Sequence, residues 1–409
     1  MHLLSLDQLL PPDHQARIVW KYVESLDLSD YYGKIKAVEG GAGRNPVDPR
    51  ILLALWLYAV LDGVSSARRL TKLCADHLAY RWMCGGVGVN HDLLSKFHSE
   101  HPEALDGLMA ETIAALMNQN LISLESVAQD GMRVRASAGK SSFRKQSTLE
   151  KHLEDARALV EKLRRESEGE EQLNRQEAAR LRAAEEKSER LQQALAEGRR
   201  LAEQRKQQKR NDGREVRTSS TDPEARVMKM ADGGYRPAYN VQFATTCDTQ
   251  IVVGVEVTNI GSDNGRLEPM MDQLEERFGK TPDNVLADAG FNSVADTTAL
   301  ERRGIEVYSP VKSEEKLLEK GEDPYARRSG DTDEYFAFRQ RMKTPEAKEL
   351  YQKRSATAEF PNAGCRNRGL TQFLVRGLKK VKTVATWQAI VHNLRMILCR
   401  GWFPVLTGE

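Results

Sequence analysis

The sequence predicts an α/β fold (α+β overall): a mixed β-sheet flanked by helices, an all-helical N-terminal domain, and a helical hairpin inserted after the first strand. Apolar residues recur at helical spacing from Leu9 to about Asn120. Strand and helix patterns then follow between residues 124 and 310 in the order β, helical insertion, β, β, α, β, α, β, which is typical of a mixed sheet with helices on its faces. We place the N-terminal domain at residues 1–120, the first strand of the sheet domain at 121–146, the insertion at 147–215, and the rest of the sheet domain, with basic C-terminal helices, at 216–409.

Local signals mark where the N-terminal helices begin. Asp48 and Pro49 precede an apolar run from Ile51 to Leu61, so a helix capped by Asp48 should begin there. A serine at 65 or 66 can cap the next helix. The basic residues that follow are compatible with a helix-turn-helix that binds DNA, and a plain helical bundle with a solvated basic face fits them equally well. The candidate DNA-binding residues in this region are Arg68, Arg69, Lys72 and Arg81.

The insertion has coiled-coil character. Leucine and alanine recur at helical spacing from Leu149 to Leu163 and again from Ala178 to Leu201, on either side of a polar break at residues 167–171. Two helices joined by that break would form a hairpin with mostly solvated charges. Its exit, from Arg199 to Arg217, carries eight basic and three acidic residues, a balance that suits a nucleic-acid backbone.

Charge and composition narrow the class of protein. The formal net charge is only +2, but no Asp or Glu occurs between Glu359 and Glu409, so we expect the C-terminal segment to attract polyanions. The N-terminus lacks the basic and apolar regions of a secretory signal, and the run from Ile51 to Leu61 is too short to cross a membrane. Five scattered cysteines form no CxxC pair. A reduced, cytoplasmic protein is expected.

Two strand patterns end on a carboxylate. The first runs from Ser126 to Asp130 and continues with Gly131, and the second runs from Asn284 to Asp288. An Asp-Gly pair between apolar residues is also the commonest hairpin signal, so a structural turn is the alternative interpretation of Asp130. Two acidic residues at the ends of neighbouring strands can converge on one site.

A later helix supplies further candidates. Thr344 and Pro345 give it a capped start, and Pro361 is expected to end or kink it. Three polar side chains fall on one broad face of this helix at about 100° per residue: Tyr351, Arg354 and Glu359.

In this order the motifs resemble the DDE-type transposases of bacterial insertion sequences, whose catalytic domain has an RNase H-like fold. The resemblance covers almost the whole chain and is carried by four stretches: the first strand at 127–131, the segment Gly233–Asn240, Ala287–Phe291, and Tyr351 through Arg354 to Glu359. Two departures stand out: four residues rather than three separate Arg354 from Glu359, and Pro361 follows shortly after.

The resemblance implies a mechanism and partners. Asp130, Asp288 and Glu359 would be the catalytic carboxylates and would hold Mg²⁺, for which Mn²⁺ should substitute. Tyr351, Arg354 and Arg366 would contact DNA. The expected partners are double-stranded DNA, namely the terminal inverted repeats of the element and the target, and a second copy of the chain in a homodimeric synaptic complex. The resemblance also implies a cytoplasmic, nucleoid-associated protein without membrane contact.

Two alternatives to an active enzyme stay open on the residues alone: a catalytically inactive DNA-binding relative, and a structural protein of nuclease fold that uses its coiled-coil hairpin for assembly. A catalytically inactive relative that still binds element ends would have the same motif order.

Four histidines cluster in the sequence: His77, His91, His98 and His101. His98 and His101 are spaced i, i+3 rather than i, i+4 as in a zinc-protease helix, so we interpret the four as surface histidines.

Overall fold

The computed structural model describes residues 5–33, 46–167, 174–207 and 215–407. Most of the polar break predicted in the insertion (residues 168–171) and the basic residues Lys209, Arg210 and Arg214 of its exit lie outside the described residues.

The N-terminal region is helical, as predicted. Asp48 Oδ1 accepts a hydrogen bond from the Arg50 backbone N–H at 2.8 Å, and Ser66 caps the following helix. The apolar helix that Asp48 caps is buried over most of its circumference and forms the centre of this region. The helices are α1 (Gln15–Glu24), α2 (Ser29–Tyr32), α3 (Pro49–Leu61), α4 (Ala67–Asp76), α5 (Leu78–Met83), α6 (His91–Glu100) and α7 (Pro102–Asn118).

A mixed sheet forms the centre of the molecule. The strands are β1 (Ser126–Arg135), β2 (Phe143–Lys145), β3 (Arg217–Ser219), β4 (Arg226–Lys229), β5 (Tyr235–Thr246), β6 (Val252–Thr258), β7 (Asn284–Ala287) and β8 (Glu306–Tyr308). The main sheet has the order β4-β5-β1-β7-β8. β6 also pairs with β5, on the same edge as β4 but further along the strand. β1 pairs with β5 antiparallel and with β7 parallel. This RNase H-like arrangement confirms the predicted fold class. It places β1 in the middle of the sheet, between β5 and β7.

The Asp130–Gly131 pair is not a turn. β1 continues through both residues to Arg135, with Asp130 opposite Phe243 and Gly131 opposite Gln242 of β5. The hairpin interpretation is therefore wrong, and so is the expectation that the strand ends at Asp130. Gly131 serves close packing instead: a Cβ there would lie under 3.0 Å from three polar side-chain atoms.

The insertion forms the predicted pair of long helices. α8 (Gln146–Ser167) and α9 (Arg175–Gln207) share a small apolar cluster of their own. The short β2–β3 pair closes the base of this hairpin, and Thr218 Oγ1 donates a hydrogen bond to the Ala194 carbonyl at 2.8 Å. The cluster that α8 and α9 share consists of Leu149, Leu153, Ala156, Leu191, Ala194 and Leu195.

The remaining helices surround the sheet. They are α10 (Leu267–Phe278), α11 (Val294–Arg302), α12 (Glu314–Glu319), α13 (Asp333–Met342), α14 (Pro345–Asn367), α15 (Leu378–Cys399) and α16 (Phe403–Thr407). Pro361 was predicted to end or kink its helix; it does not end it, because α14 continues beyond Pro361 to Asn367. Pro361 is buried, so the packing of this helix against the sheet offsets the hydrogen bond that proline cannot donate.

The acid-free C-terminal segment contributes much of its length to the core. α15 is buried along most of its length, and Trp387 Nε1 donates to the His98 carbonyl at 3.0 Å. Arg368 is also buried, with Nε donating to Gln388 Oε1 at 3.2 Å. At the buried positions of α15 an acidic residue would be disfavoured, because a buried carboxylate without a partner is costly. The basic residues Arg366, Arg376, Lys379 and Arg395 are nevertheless exposed, so the attraction of polyanions to this segment stays a prediction.

One apolar core joins the N-terminal helices to the sheet. His98 belongs to it: the side chain is 7% exposed and stacks on Trp56 with ring centroids 3.9 Å apart. Burial lowers the pKa of His98 to about 3. The interpretation of His98 as a surface histidine was therefore wrong. In the part of the chain that the structure describes, no helix is both long and apolar enough to span a membrane.

Candidate active site

Asp130 and Asp288 lie next to each other at the centre of the sheet. β1 and β7 are parallel, with Gln129 opposite Ala287 in the last pair of their register. The next residue on each strand is a carboxylate, Asp130 within β1 and Asp288 immediately after β7. The negative charge of Asp288 is close enough to raise the pKa of Asp130. The predicted convergence of these two carboxylates is thus present.

The carboxylate of Asp130 is held in a largely desolvated position. Burial raises its pKa to about 6, and Asp288 adds to that effect, whereas the nearby Arg354 guanidinium opposes it. Its Oδ1 accepts from the Gly131 backbone N–H at 2.9 Å, and its Oδ2 accepts from Asn362 Nδ2 at 2.9 Å. Both oxygens therefore have a fixed orientation before any ligand arrives.

Arg354 brings a positive charge to the two carboxylates from α14. Burial alone would lower its pKa, but the hydrogen bond with Tyr351 and the carboxylates of Asp130 and Asp288 raise it. Arg354 Nε donates to the Tyr351 hydroxyl at 3.3 Å. Among the described residues, its buried Nη1 has no hydrogen-bond partner. The guanidinium is thus oriented by Tyr351 and keeps donors free for an anion.

Glu359 does not join the pair of aspartates. Its side chain is exposed on α14, whereas Asn362, three residues later, is buried and reaches Asp130. On a helix Glu359 lies about 140° from Arg354, but Asn362 only about 80°. No three His, Cys, Asp or Glu side chains in the described ranges are grouped closely enough to hold a metal ion. The structure therefore contains two of the three predicted carboxylates side by side, with Glu359 on the same helix as their partners.

A second polar network lies on the Gly131 side of β1, and sequence reasoning missed it. Asp263, in the loop before α10, accepts from Asn240 Nδ2 at 2.6 Å and from Gln242 Nε2 at 2.8 Å. Arg133 Nη2 forms an ion pair with its other oxygen at 3.2 Å. A sequence signal did exist, because Asn240 and Gln242 alternate with apolar residues in the buried part of β5. Polar residues with that period point to a shared partner.

The network adjoins Asp288 as well as Gly131. Asp288 Oδ1 accepts from the Gly290 backbone N–H at 2.8 Å. A Cβ at Gly290 would lie 2.9 Å from that oxygen and 3.8 Å from Asp263 Oδ2. Asp263 and Asp288 therefore flank the same turn, and the glycine leaves room between them.

The predicted DNA-binding residues fall on separate surfaces. Arg68, Arg69, Lys72 and Arg81 are all exposed on α4 and α5. Arg68 lines a cavity of about 360 Å³ between this helical region and the segment after α14. Arg366 is exposed on α14 and lines a different cavity, beside β1. Tyr351 and Arg354 belong to the carboxylate site itself.

Comparison with known families decides the class of protein. The model of the family described as Transposase domain (DUF772) matches residues 4–100, and that of the Transposase DDE domain matches residues 203–394. The chain belongs to the DDE-type transposases of insertion sequences. Neither a search of curated proteins nor one of solved structures gave a match.

The family matches and the structure are complementary. Asp288, Arg354 and Glu359 lie within the matched DDE range, but Asp130 and the whole of β1 lie between the two matched ranges. The sheet topology supplies what the match does not reach, because it places β1 beside β7. Membership of this family implies transposition, nuclease and transferase activity on DNA, DNA binding and the use of a divalent metal.

Proposed function

We propose that the transposase cuts and joins DNA at the ends of its element through a metal held by Asp130, Asp288 and Glu359. The observation that carries this proposal is the in-register placement of Asp130 and Asp288 at the junction of β1 and β7. Asp130 is largely removed from water and its pKa is raised by burial and by the charge of Asp288, so the two carboxylates form a site that a cation would stabilise.

The donor set fits a hard divalent cation. Mg²⁺ prefers oxygen ligands and is usually held by one or two carboxylates together with substrate phosphate. Besides the aspartates, Asn362 has a buried Oδ1 with no partner among the described residues, while its Nδ2 binds Asp130. We therefore infer Mg²⁺ as the natural ion, with Mn²⁺ as a substitute. When bound, such an ion would activate the attacking hydroxyl or water and stabilise the leaving oxygen at phosphorus.

The chain's own side chains would orient the substrate. The free donors of Arg354 would bind an oxygen of the scissile phosphate, since guanidinium groups bind phosphate through paired hydrogen bonds. Tyr351 fixes the orientation of Arg354, and Asn362 fixes that of Asp130. These residues leave the phosphate little freedom to rotate, and correct orientation accounts for much of the rate in phosphoryl transfer.

Glu359 is the proposed third carboxylate. Its position on α14, the helix that delivers both Arg354 and Asn362 to the aspartates, supports this role. Its carboxylate is exposed on another face of the helix, so this role requires α14 to turn or shift when DNA and metal bind. Glu359→Gln should then lose cleavage while leaving metal binding by the two aspartates mostly intact.

The proposed partners follow from the family. Arg68, Arg69, Lys72, Arg81 and Arg366 would bind the terminal inverted repeats of the element and the target DNA. We propose that two copies of the chain pair two element ends in a homodimeric synaptic complex. The protein would act in the cytoplasm, associated with the nucleoid.

The deciding experiment measures metal-dependent cleavage of DNA that carries the terminal repeats flanking the gene. Asp130→Asn and Asp288→Asn keep the size of the side chain but remove the anionic oxygens, so each should abolish cleavage and strand transfer in Mg²⁺ or Mn²⁺ while DNA binding persists. Asp248→Asn, at an exposed position in the β5–β6 turn, is the matched control and should cut like the parent. Parental cleavage by Asp130→Asn would overturn the assignment. A parent that binds ends and never cuts would support the inactive relative.

A further inference from the structure

Two cavities adjoin each other at the end of β1, next to the carboxylate site. The first, of about 460 Å³, begins at Gly131 and extends along β1 to Arg135 and Arg366. The second, of about 390 Å³, continues from Arg135 to Lys140 and Tyr235. Arg135 and Arg236 line both. Together they form a continuous groove, here called the β1 groove, that starts beside Asp130.

The β1 groove is lined mainly by cations. Its basic residues are Arg133, Arg135, Lys140, Arg236 and Arg366. Two carboxylates oppose them: Asp263 pairs with Arg133, and Asp232 pairs with Arg236 at 2.7 Å. Within the described part of the chain, no carboxylate lies within ion-pair distance of Arg135, Lys140 or Arg366. Three exposed positive charges therefore face the groove unpaired, which is the electrostatic requirement for a polyanion.

An aromatic side chain stands at the far end of the groove. Tyr235 is 56% exposed although it begins a strand whose other residues are mostly buried. Exposed tyrosines beside basic grooves offer a flat surface on which a nucleic-acid base can stack. Among the described residues, the Arg135 guanidinium donates only one long hydrogen bond, at 3.4 Å from Nε to the Thr371 carbonyl, so it remains available for a ligand.

The β4–β5 turn forms one wall of the groove and is rigid. The Met230 N–H donates to the Gly234 carbonyl at 2.7 Å, and the Gly233 N–H donates back to the Met230 carbonyl at 3.0 Å. Gly233 has φ +79°, a conformation that favours glycine. Asp232 accepts from the Gly234 N–H at 3.0 Å while it holds Arg236. The segment Gly233–Asn240, which the catalytic residues leave unexplained, thus positions Tyr235 and Arg236.

We propose that the β1 groove binds a single strand of DNA that leads away from the scissile phosphate. Arg135 and Lys140 would contact its phosphates, and Tyr235 would stack on one of its bases. A single strand is assigned because only an unpaired base can stack on Tyr235, and the width of the groove suits one backbone. This inference rests on the proposed function, because it takes the site of Asp130 and Asp288 as the place where the strand is cut.

The test separates charge from stacking. Binding of an oligodeoxythymidine to the full-length protein is measured by fluorescence anisotropy in EDTA over a series of salt concentrations. Arg135→Ala and Lys140→Ala should each weaken binding and reduce the slope of log K against log salt by about 0.7, the value for one single-strand phosphate contact. Tyr235→Ala should weaken binding about tenfold with an unchanged slope, since stacking carries no charge.

A matched control excludes a general loss of positive charge. Arg328→Ala removes an exposed arginine in the loop before α13, the helix that packs on β8 at the other edge of the sheet. It should bind like the parent, and thermal unfolding should confirm that all variants are folded. Parental affinity of both Arg135→Ala and Tyr235→Ala, or an equal loss in Arg328→Ala, would overturn the β1 groove. Because no metal is present, this outcome is independent of whether Asp130→Asn still cuts.

Discussion

The strand β1 and the α8–α9 hairpin differ in how far they tolerate a substitution. Each contains a glycine within a regular element, Gly131 in β1 and Gly198 in α9. A Cβ at Gly131 would lie 2.6 Å from Gln242 Nε2, 2.8 Å from Asp263 Oδ1 and 2.9 Å from Asn240 Oδ1. At Gly198 the nearest atom would be Thr218 Oγ1, at an ordinary 3.4 Å. The same residue type is required in one region and replaceable in the other.

The difference reflects what each region must hold. β1 carries a buried carboxylate, a buried polar network and neighbours on both edges, so each atom nearby has a defined partner. The hairpin buries a short apolar stripe and exposes its charges, as a helical pair needs only periodic leucine and alanine. The catalytic centre is therefore sensitive to single atoms, whereas the hairpin tolerates change.

The largest expected effect comes from Gly131→Ala. The new methyl group would displace Asn240 and Gln242 from Asp263 and leave buried polar atoms without partners. Overpacking and lost hydrogen bonds together should reduce the free energy of unfolding by about 3 kcal/mol. Chemical denaturation of parent and variant at neutral pH measures this change.

Gly198→Ala is the matched control for that substitution. It introduces the same methyl group into an exposed helix where there is room, so it should stabilise α9 locally by about 0.5 to 1 kcal/mol. Hydrogen exchange of the α9 amides measures the gain. Equal losses of stability in both variants would contradict the contrast between the two regions.

A smaller effect with a defined pH dependence is expected for Asp130→Asn. The folded protein binds the Asp130 proton more tightly than the unfolded chain does, because burial raises its pKa to about 6. As pH rises through the interval between the ordinary aspartate pKa and 6, the parent loses stability that the asparagine variant keeps. The variant should be more stable above pH 6 by on the order of 2 kcal/mol, and equally stable near pH 4. Asn362 can turn its unpartnered Oδ1 toward the new amide.

Denaturation of both proteins from pH 4 to pH 7.5 measures the difference, in which the titration of other groups cancels. Added Mg²⁺ should stabilise the parent but not the variant, because a ligand that binds only the folded state raises its stability. A stability difference that does not change with pH would show that the charge of Asp130 costs nothing in the folded protein.

Much of the fold could be predicted because apolar periodicity and capping residues mark its helices and strands locally in the sequence. The capped start of α3 at Pro49, the two leucine series and the strand order around Asp130 and Asp288 are all periodic or punctuated by caps and turns. The two aspartates were identified because each ends an apolar strand pattern. Parallel register then brought them together.

What could not be predicted depends on tertiary packing. The continuation of α14 through Pro361 requires that the proline be buried against the rest of the molecule. The partnership of Asn362 with Asp130 spans 232 positions of the chain, and no local signal records it. The burial of α15 is not evident from the basic composition of the segment after Glu359, because the basic side chains of that helix lie on its exposed face while its other residues enter the core.

The smallest effect on the sheet is expected from removal of the hairpin. Lys145 of β2 and Arg217 of β3 are paired residues, so an Asn-Gly dipeptide in place of residues 146–216 can close the two strands with a tight turn. The deletion removes an apolar cluster that is separate from the main core. It also removes the Glu197 partner of Arg226, but that guanidinium keeps hydrogen bonds to the carbonyls of Pro223 at 2.9 Å and Ala225 at 2.8 Å.

The shortened chain should therefore unfold in one cooperative transition, with a free energy of unfolding within about 1 kcal/mol of the parent, because removal of α9 opens the Arg226 guanidinium to water and leaves no buried unpaired charge. If the hairpin serves the pairing of two element ends, binding of one end should persist and formation of the paired complex, followed by gel shift with two labelled ends, should be lost. Aggregation or a non-cooperative transition would show that the hairpin is part of the folding core. Because the sheet and hairpin have separate apolar clusters, we expect the sheet to remain folded.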